Sequence, residues 1–416
     1  MRKKLSFVLI ILIIASLMGG CFGKIEEGPG DKNSQTGPDE GIGSQGDSSI
    51  DLEIDHIKEK IKKMTLEEKI GQIFIMGLDG YEADNDIKEM IEEDYIGGII
   101  LFSRNVKKPE QLLELTNSLK NINSANHIPL FISVDQEGGR VNRMPRELKN
   151  TPSNRIIGQK NDRQFAYEIG AILGQEVKSF GFNMNFAPVL DIDSNPNNPV
   201  IGDRSFASNE KLVADLGLAS LEGLRSQGVI PVVKHFPGHG DTLVDSHIGL
   251  PRIDKELSDL HKFELIPFKK AIENNIDAIM VAHILFDKID PQNPASLSKP
   301  ITTDLLRDQL KFNGVVITDD MTMGAILENY DIGHAAVMAV DAGCDLVLVS
   351  HGHDNKLKAL QALKEAVQDQ EISMDRIDES LYRILQLKEK YELNNSKIES
   401  VDINKINSDI IDLLGK

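Results

Sequence analysis

Eight short apolar runs punctuate the chain between residues 73 and 350, at 73–76, 96–102, 130–134, 184–190, 230–234, 278–282, 315–318 and 346–350. They are rich in Ile, Val, Leu and Phe and short for helices, the pattern of strands buried on both faces. Longer amphipathic stretches of helical period lie between them, among them 109–123, 162–180, 209–227, 257–274 and 332–341. Strands alternating with helices build a parallel sheet, because parallel neighbours need a crossover connection. Eight such units predict α/β architecture, a single (β/α)8 TIM-type barrel with no second domain. An open doubly wound sheet satisfies the same periodicity. The polar residues favour the barrel, since they cluster just after the C-terminal ends of several strands, where barrel enzymes carry their sites.

The flanks of this pattern read differently. Arg2, Lys3 and Lys4 precede an almost unbroken apolar run over residues 5–18, shorter than the roughly 20 residues of a membrane span. Gly19 and Gly20 then lead to Cys21. Residues 1–21 resemble a bacterial lipoprotein signal, which implies lipidation of Cys21 and a protein held at the extracytoplasmic face of the cell membrane. A cleaved secretory signal and a retained N-terminal anchor are the alternatives. Residues 22–49, rich in Gly, Ser, Asp and Pro, predict a disordered linker. Their Gly41, Gly43 and Gly46 match a dinucleotide-binding spacing, but no strand precedes them and no helix follows, so the match is chance. Residues 50–390 form the barrel domain, opened by a capping box at Thr65 and Glu68. Residues 391–416 form a C-terminal helix or tail. With Cys21 lipidated, Cys344 has no partner within the chain, so burial rather than a disulfide must hold the fold. The net charge of −19, with no basic run beyond the first residues, excludes nucleic acid as a partner. A monomer is expected.

The densest concentration of chemistry is 234–251, where Lys234 and His235 end an apolar run and Pro237, Gly238 and Gly240 break any regular period. His239, Asp241, Asp245 and His247 follow on that loop. Other strand ends carry Asp135, Glu137, Arg140 and Arg143; Asp191, Asp193, Asp203 and Arg204; His283; and Asp319 with Asp320. Carboxylates and cations converging on one mouth suit a neutral polyhydroxylated ligand, whose hydroxyls need paired donors and acceptors in place of water. Glycoside cleavage needs a carboxylate at the anomeric carbon and a proton donor for the leaving oxygen.

Segments 234–251, 135–143, 202–206 and 318–324 resemble glycoside hydrolase family 3, in particular its bacterial β-N-acetylglucosaminidases, over about residues 65–388. The resemblance implies a barrel, a retaining mechanism without cofactor or metal, and a β-linked N-acetylglucosaminyl glycan or muropeptide as substrate. It implies Asp319 as nucleophile; strand parity alone cannot choose between Asp319 and Asp320, and Asp320 fits a helix cap or supporting acceptor. It implies His247, oriented by Asp245, as general acid and then general base. An imidazole, with a reference pKa of about 6.5, gives and retrieves a proton near neutral pH. Asp135, Arg143, Arg204, Lys234 and His235 are implied in holding the sugar. His239 and Asp241 are expected to shape the loop. Glu137 reads either as a ligand contact or as a brace for the turn at Gly138 and Gly139, and His283 either as a ligand contact or as a satisfied core group.

Three other readings compete. The loop's His and Asp residues are ordinary metal ligands, although no standard metal spacing is present. A lipid-anchored sugar-binding protein without catalysis would keep the hydroxyl contacts yet has no need of Asp319 or His247. A phosphorylase would use the same scaffold with phosphate in place of water, since an imidazole acid/base does not repel that anion.

Overall fold

A computed structural model of the protein describes residues 55–415. The expected signal 1–21, its lipidation at Cys21 and the linker 22–49 lie outside the described residues. Among the described residues, strands β1 (Phe74–Gly77), β2 (Gly98–Leu101), β3 (Phe131–Val134), β4 (Met184–Asn185), β5 (Ile230–Phe236), β6 (Ala278–Val281), β7 (Val315–Asp320) and β8 (Leu346–Val349) close into a barrel. Each neighbouring pair is parallel, and β1 meets β8 with Phe74 opposite Val347. That closure excludes the open sheet. Every residue of β1, β2, β3, β6 and β8 is buried, which is why these strands read as continuous rather than alternating apolar runs. Helices such as Pro109–Ile122, Arg163–Ser179, Glu210–Ser226 and Ile332–Ala342 cover the strands from outside. The capping box closes as expected: Thr65 Oγ1 accepts Glu68 N at 3.2 Å, and Glu68 Oε2 accepts Thr65 N at 2.7 Å.

Several boundaries differ from the sequence expectation. Strand β4 stops at Asn185 rather than 190, because Pro188 has no N–H to give to a ladder. The chain touches β5 again through a single bridge between Val189 and Lys234. Strand β5 runs two residues further than expected, and Ala282 N bonds Phe236 O at 2.9 Å. The expected helix 257–274 is two helices, Leu257–Lys262 and Ile266–Glu273; Pro267 sits in the first turn of the second, where a missing N–H loses no helix bond. The C-terminal segment contains a helix, Ile403–Leu414, which buries Ile406, Ile410 and Leu413. Gln175 of Arg163–Ser179 bonds its Asp409 at 3.1 Å.

A three-stranded sheet of Arg252–Ile253, Leu285–Phe286 and Asp290–Pro294 escapes the sequence reading, since its strands are too short and too polar to set a period. It matters for the site: Leu285 N bonds Pro251 O at 2.9 Å and fixes the far end of the loop that follows β5.

Candidate active site

The C-terminal strand ends open on a cavity of about 510 Å3. Asp135 and Arg143 reach it from the loop after β3, Arg204 from the turn Gly202–Arg204, Lys234 and His235 from β5, Asp245 and His247 from the next loop, and Asp319 from β7. These eight residues come from segments far apart in sequence and border one space.

Its floor is an ion-pair network. Lys234 Nζ lies 2.5 Å from Asp135 Oδ1 and 2.7 Å from Glu137 Oε1. Arg204 grips Glu137 bidentately, Nε to Oε2 at 2.9 Å and Nη2 to Oε1 at 2.8 Å. Burial would favour neutral Glu137, but Arg204 and Lys234 outweigh it and hold the carboxyl well below the usual carboxylate range. Burial likewise opposes the Lys234 ammonium, and Asp135 and Glu137 reverse that to keep its pKa above the ordinary value. Of the two readings open for Glu137, the structure adds a third: it is the joint between two cations. Arg143 keeps a buried Nε without a hydrogen-bond partner among the described residues, beside the same cavity.

His235 is set by Asp191, a fully buried carboxylate that sequence reasoning placed at a strand end without a role. Asp191 Oδ2 accepts the His235 Nδ1–H at 2.6 Å, and Oδ1 accepts His239 N at 2.6 Å. This leaves His235 Nε2 toward Arg204 and the cavity. Gly240 lets the loop press on the segment that follows β4, because a Cβ there would lie 1.6 Å from Ile192 O. His239 is buried between Thr242 Oγ1 at 2.8 Å and Ser246 Oγ at 3.0 Å, with its pKa pushed down to about 4 by burial and by His235. It shapes the loop, as does Asp241 through its 2.7 Å pair with Lys255. His283 is a satisfied core group, bonding Ser296 Oγ at 2.6 Å and Asp320 O at 3.0 Å. Both ring nitrogens of His239 and of His283 are thus engaged, and among the described residues no group of three or more His, Cys, Asp or Glu is disposed to hold a metal ion.

The two adjacent carboxylates differ. Asp320 Oδ1 accepts Thr322 N at 2.9 Å, Thr322 Oγ1 at 2.7 Å and Ser350 N at 3.0 Å, the engagement of a structural acceptor. Asp319 Oδ1 accepts Asp320 N at 2.8 Å. Burial opposes ionisation of Asp319, but His235, His283 and that N–H prevail and hold its pKa down to about 2. It is an anion at neutral pH. Asp245 Oδ1 accepts both the His247 N–H at 2.9 Å and the His247 Nδ1–H at 2.8 Å, while the imidazole is 65% exposed. Nε2 is therefore the ring atom available to a ligand. A rim of Phe102 and His351, stacked at 5.6 Å, completes the cavity and was not foreseen, because neither belongs to a polar cluster in sequence.

A further unforeseen group sits behind the site. Glu176 is buried, and burial raises its pKa to about 8 against the opposing hydrogen bond from Gln136 Nε2 at 2.8 Å. Gln136 Oε1 in turn accepts Arg143 N at 2.7 Å. A folded-state pKa raised above 4.5 contributes stability that is present below that pH and lost as pH rises through about 8. Glu176→Gln keeps an acceptor for Gln136 and cannot ionise. Its advantage over wild type should grow to about 2–4 kcal/mol by pH 9. Parallel melting curves from pH 5 to pH 9 would refute the assignment.

The family model "Glycosyl hydrolase family 3 N terminal domain" matches residues 65–387. The chain belongs to this family. It is similar to β-hexosaminidase A of Pseudoalteromonas piscicida, 37% identical over 329 residues, 73% of this chain. The chain spans 55% of that relative's length. It is also similar to a β-hexosaminidase of Nitrosomonas eutropha, 38% identical over 303 residues, with 71% of this chain and 86% of the relative covered. Among solved structures it resembles a family 3 β-N-acetylglucosaminidase from Paenibacillus sp. str. FPU-7, with a TM-score of 0.80 and 42% identity, covering 84% of this chain and 68% of that one. The TM-score shows that the Paenibacillus protein shares the fold described above.

Proposed function

We infer that the protein is a retaining, exo-acting β-N-acetylglucosaminidase. The observation that carries this reading is an ionised Asp319 in the same polar cavity as a His247 held by Asp245 through Nδ1. Asp319 attacks the anomeric carbon while His247, protonated on both nitrogens, gives its Nε2 proton to the leaving oxygen; the glycosidic bond breaks and a glycosyl-enzyme forms. Water then attacks that carbon, His247 Nε2 takes its proton, and the freed carboxylate of Asp319 leaves. Asp245 stabilises the imidazolium and fixes the tautomer. Asp135, Arg143, Arg204, Lys234 and His235 hold the sugar hydroxyls and the N-acetyl group. The relatives named as hexosaminidases support the choice of sugar. Lipidation at Cys21 would tether the enzyme outside the cell membrane, which makes fragments of the cell-wall glycan its natural substrate.

The test is hydrolysis of an aryl β-N-acetylglucosaminide beside the matching β-glucoside, with and without phosphate. Turnover of the N-acetyl sugar alone, with free sugar released in both buffers, is the expected result; sugar 1-phosphate in the phosphate arm would replace the hydrolase by a phosphorylase. Silence toward both sugars would favour a binding protein. His247→Ala should cost about 10²–10⁴-fold in kcat/KM on an alkyl glycoside, whose leaving oxygen needs a proton, but less than about tenfold on a dinitrophenyl glycoside. Equal losses on both would remove His247 from the general-acid role.

A further inference from the structure

The loop that carries His247 has few anchors of its own. Leu243, Val244 and Ile248 all lie exposed beside it, and a segment with so few packed side chains takes its position from backbone contacts. Those contacts come from the segment just after the Asp319 carboxylate. There the Asp320 carboxylate ties the turn at Thr322 to Ser350 at the end of β8. Two residues past Thr322 begins the short helix Gly324–Leu327. Its first N–H groups have no acceptor within the helix, and the loop supplies them: Gly324 N bonds His247 O at 3.3 Å and Ala325 N bonds Ser246 O at 3.1 Å. From the other side, Ser246 Oγ meets the buried His239 Nε2 at 3.0 Å.

Gly324 also makes room. A Cβ at that position would lie 2.8 Å from His247 O and 2.9 Å from Ile248 O, closer than a side-chain carbon approaches backbone oxygen. Any other residue there must push the loop outward. This crowding concerns the backbone of His247 itself, so displacement moves the imidazole directly.

We propose that Asp320, Gly324 and Ser246 are positioning residues that seat the His247 loop on the segment carrying Asp319. One stretch of chain, 319–325, then registers the acid/base against the nucleophile. None of the three needs to touch substrate; they act through His247. The inference rests on the reading of Asp319 and His247 as the catalytic pair, and it adds the device that holds them in register.

The test compares kcat/KM on an alkyl and on a dinitrophenyl β-N-acetylglucosaminide for wild type, His247→Ala, Gly324→Ala and Ser246→Ala. A displaced acid handicaps only the substrate whose leaving group needs its proton, whereas general damage to the cavity handicaps both. Gly324→Ala should lose about 100-fold on the alkyl glycoside and less than about fivefold on the dinitrophenyl glycoside. Ser246→Ala keeps the backbone bonds and should show the same selectivity at about tenfold. Equal losses on the two substrates, or no loss in either variant, would overturn the seat if His247→Ala itself is selective. If His247→Ala is unselective, the acid/base reading falls and the seat falls with it. Thermal melts accompany each variant, and should Gly324→Ala not fold, Ser246→Ala alone decides by the same comparison.

Discussion

Asp319→Ala should lower hydrolysis of an aryl β-N-acetylglucosaminide by at least about 10⁴-fold while the protein stays folded. The barrel does not need this side chain. Asp319 holds one neighbouring N–H through Oδ1, whereas the joints between β7 and β8 run through Asp320 and Thr318. The reaction, by contrast, has no substitute for it: without a carboxylate at the anomeric carbon no glycosyl-enzyme forms, and His247 then protonates a leaving group that nothing displaces. Asp319→Asn should be nearly as inactive, because a neutral amide is a poor nucleophile. Circular dichroism and melting curves close to wild type separate lost chemistry from lost fold. An Asp319→Ala protein retaining more than a tenth of wild-type activity would move the nucleophile elsewhere, with Asp320 the first alternative.

Glu137→Gln should have the largest effect on stability, a loss of about 3–5 kcal/mol, because it breaks a buried ion network by removing one partner. Lys234 and Arg204 are both largely buried and both bonded to Glu137. Without its charge, Lys234 keeps only Asp135 as an ion-pair partner and Arg204 loses its bidentate one. Activity should fall as well, since Lys234 and Arg204 lose the geometry that aims them into the cavity. The pH dependence gives an independent sign. A carboxyl whose folded-state pKa is depressed contributes stability that is present above its unfolded value of 4.5 and lost as pH falls below it. Wild type and Glu137→Gln should therefore differ most at neutral pH and converge on acidification. Urea midpoints from pH 7 down to pH 3 measure the gap; a constant gap would show that Glu137 acts by packing rather than by charge.

Much of this molecule is legible without coordinates, and the reasons are local. A parallel strand buried on both faces must be apolar along its length, so eight such runs with helical spacers announce a parallel α/β sheet, and the polar residues at the strand ends favour its closure into a barrel. Strand ends and the loops after them carry what the core cannot tolerate, so Lys234, His235, Asp245, His247, Asp135 and the pair Asp319 and Asp320 stand out by position and chemistry. The choice of Asp319 within that pair came from the family resemblance. What escaped lies in relations between distant residues. Nothing in the neighbourhood of Glu137 says that it joins Lys234 to Arg204. Asp191 and Asp193 look alike in sequence, yet Asp191 is sealed under His235 and His239 while Asp193 pairs with Arg155. Glu176 sits on an ordinary helix, and its burial against Gln136 comes from the helix's place on the barrel.

The division follows from the range of the forces. The chain by itself determined the fold class and which loops carry the chemistry, because periodicity and turn residues act within a few positions. The tertiary structure decided which carboxylate of each pair is engaged and which cation each acid neutralises. It also brought the backbone at Gly324 up against His247, seventy-seven residues away in sequence. Those outcomes depend on burial and on contacts that exist only once β8 closes onto β1.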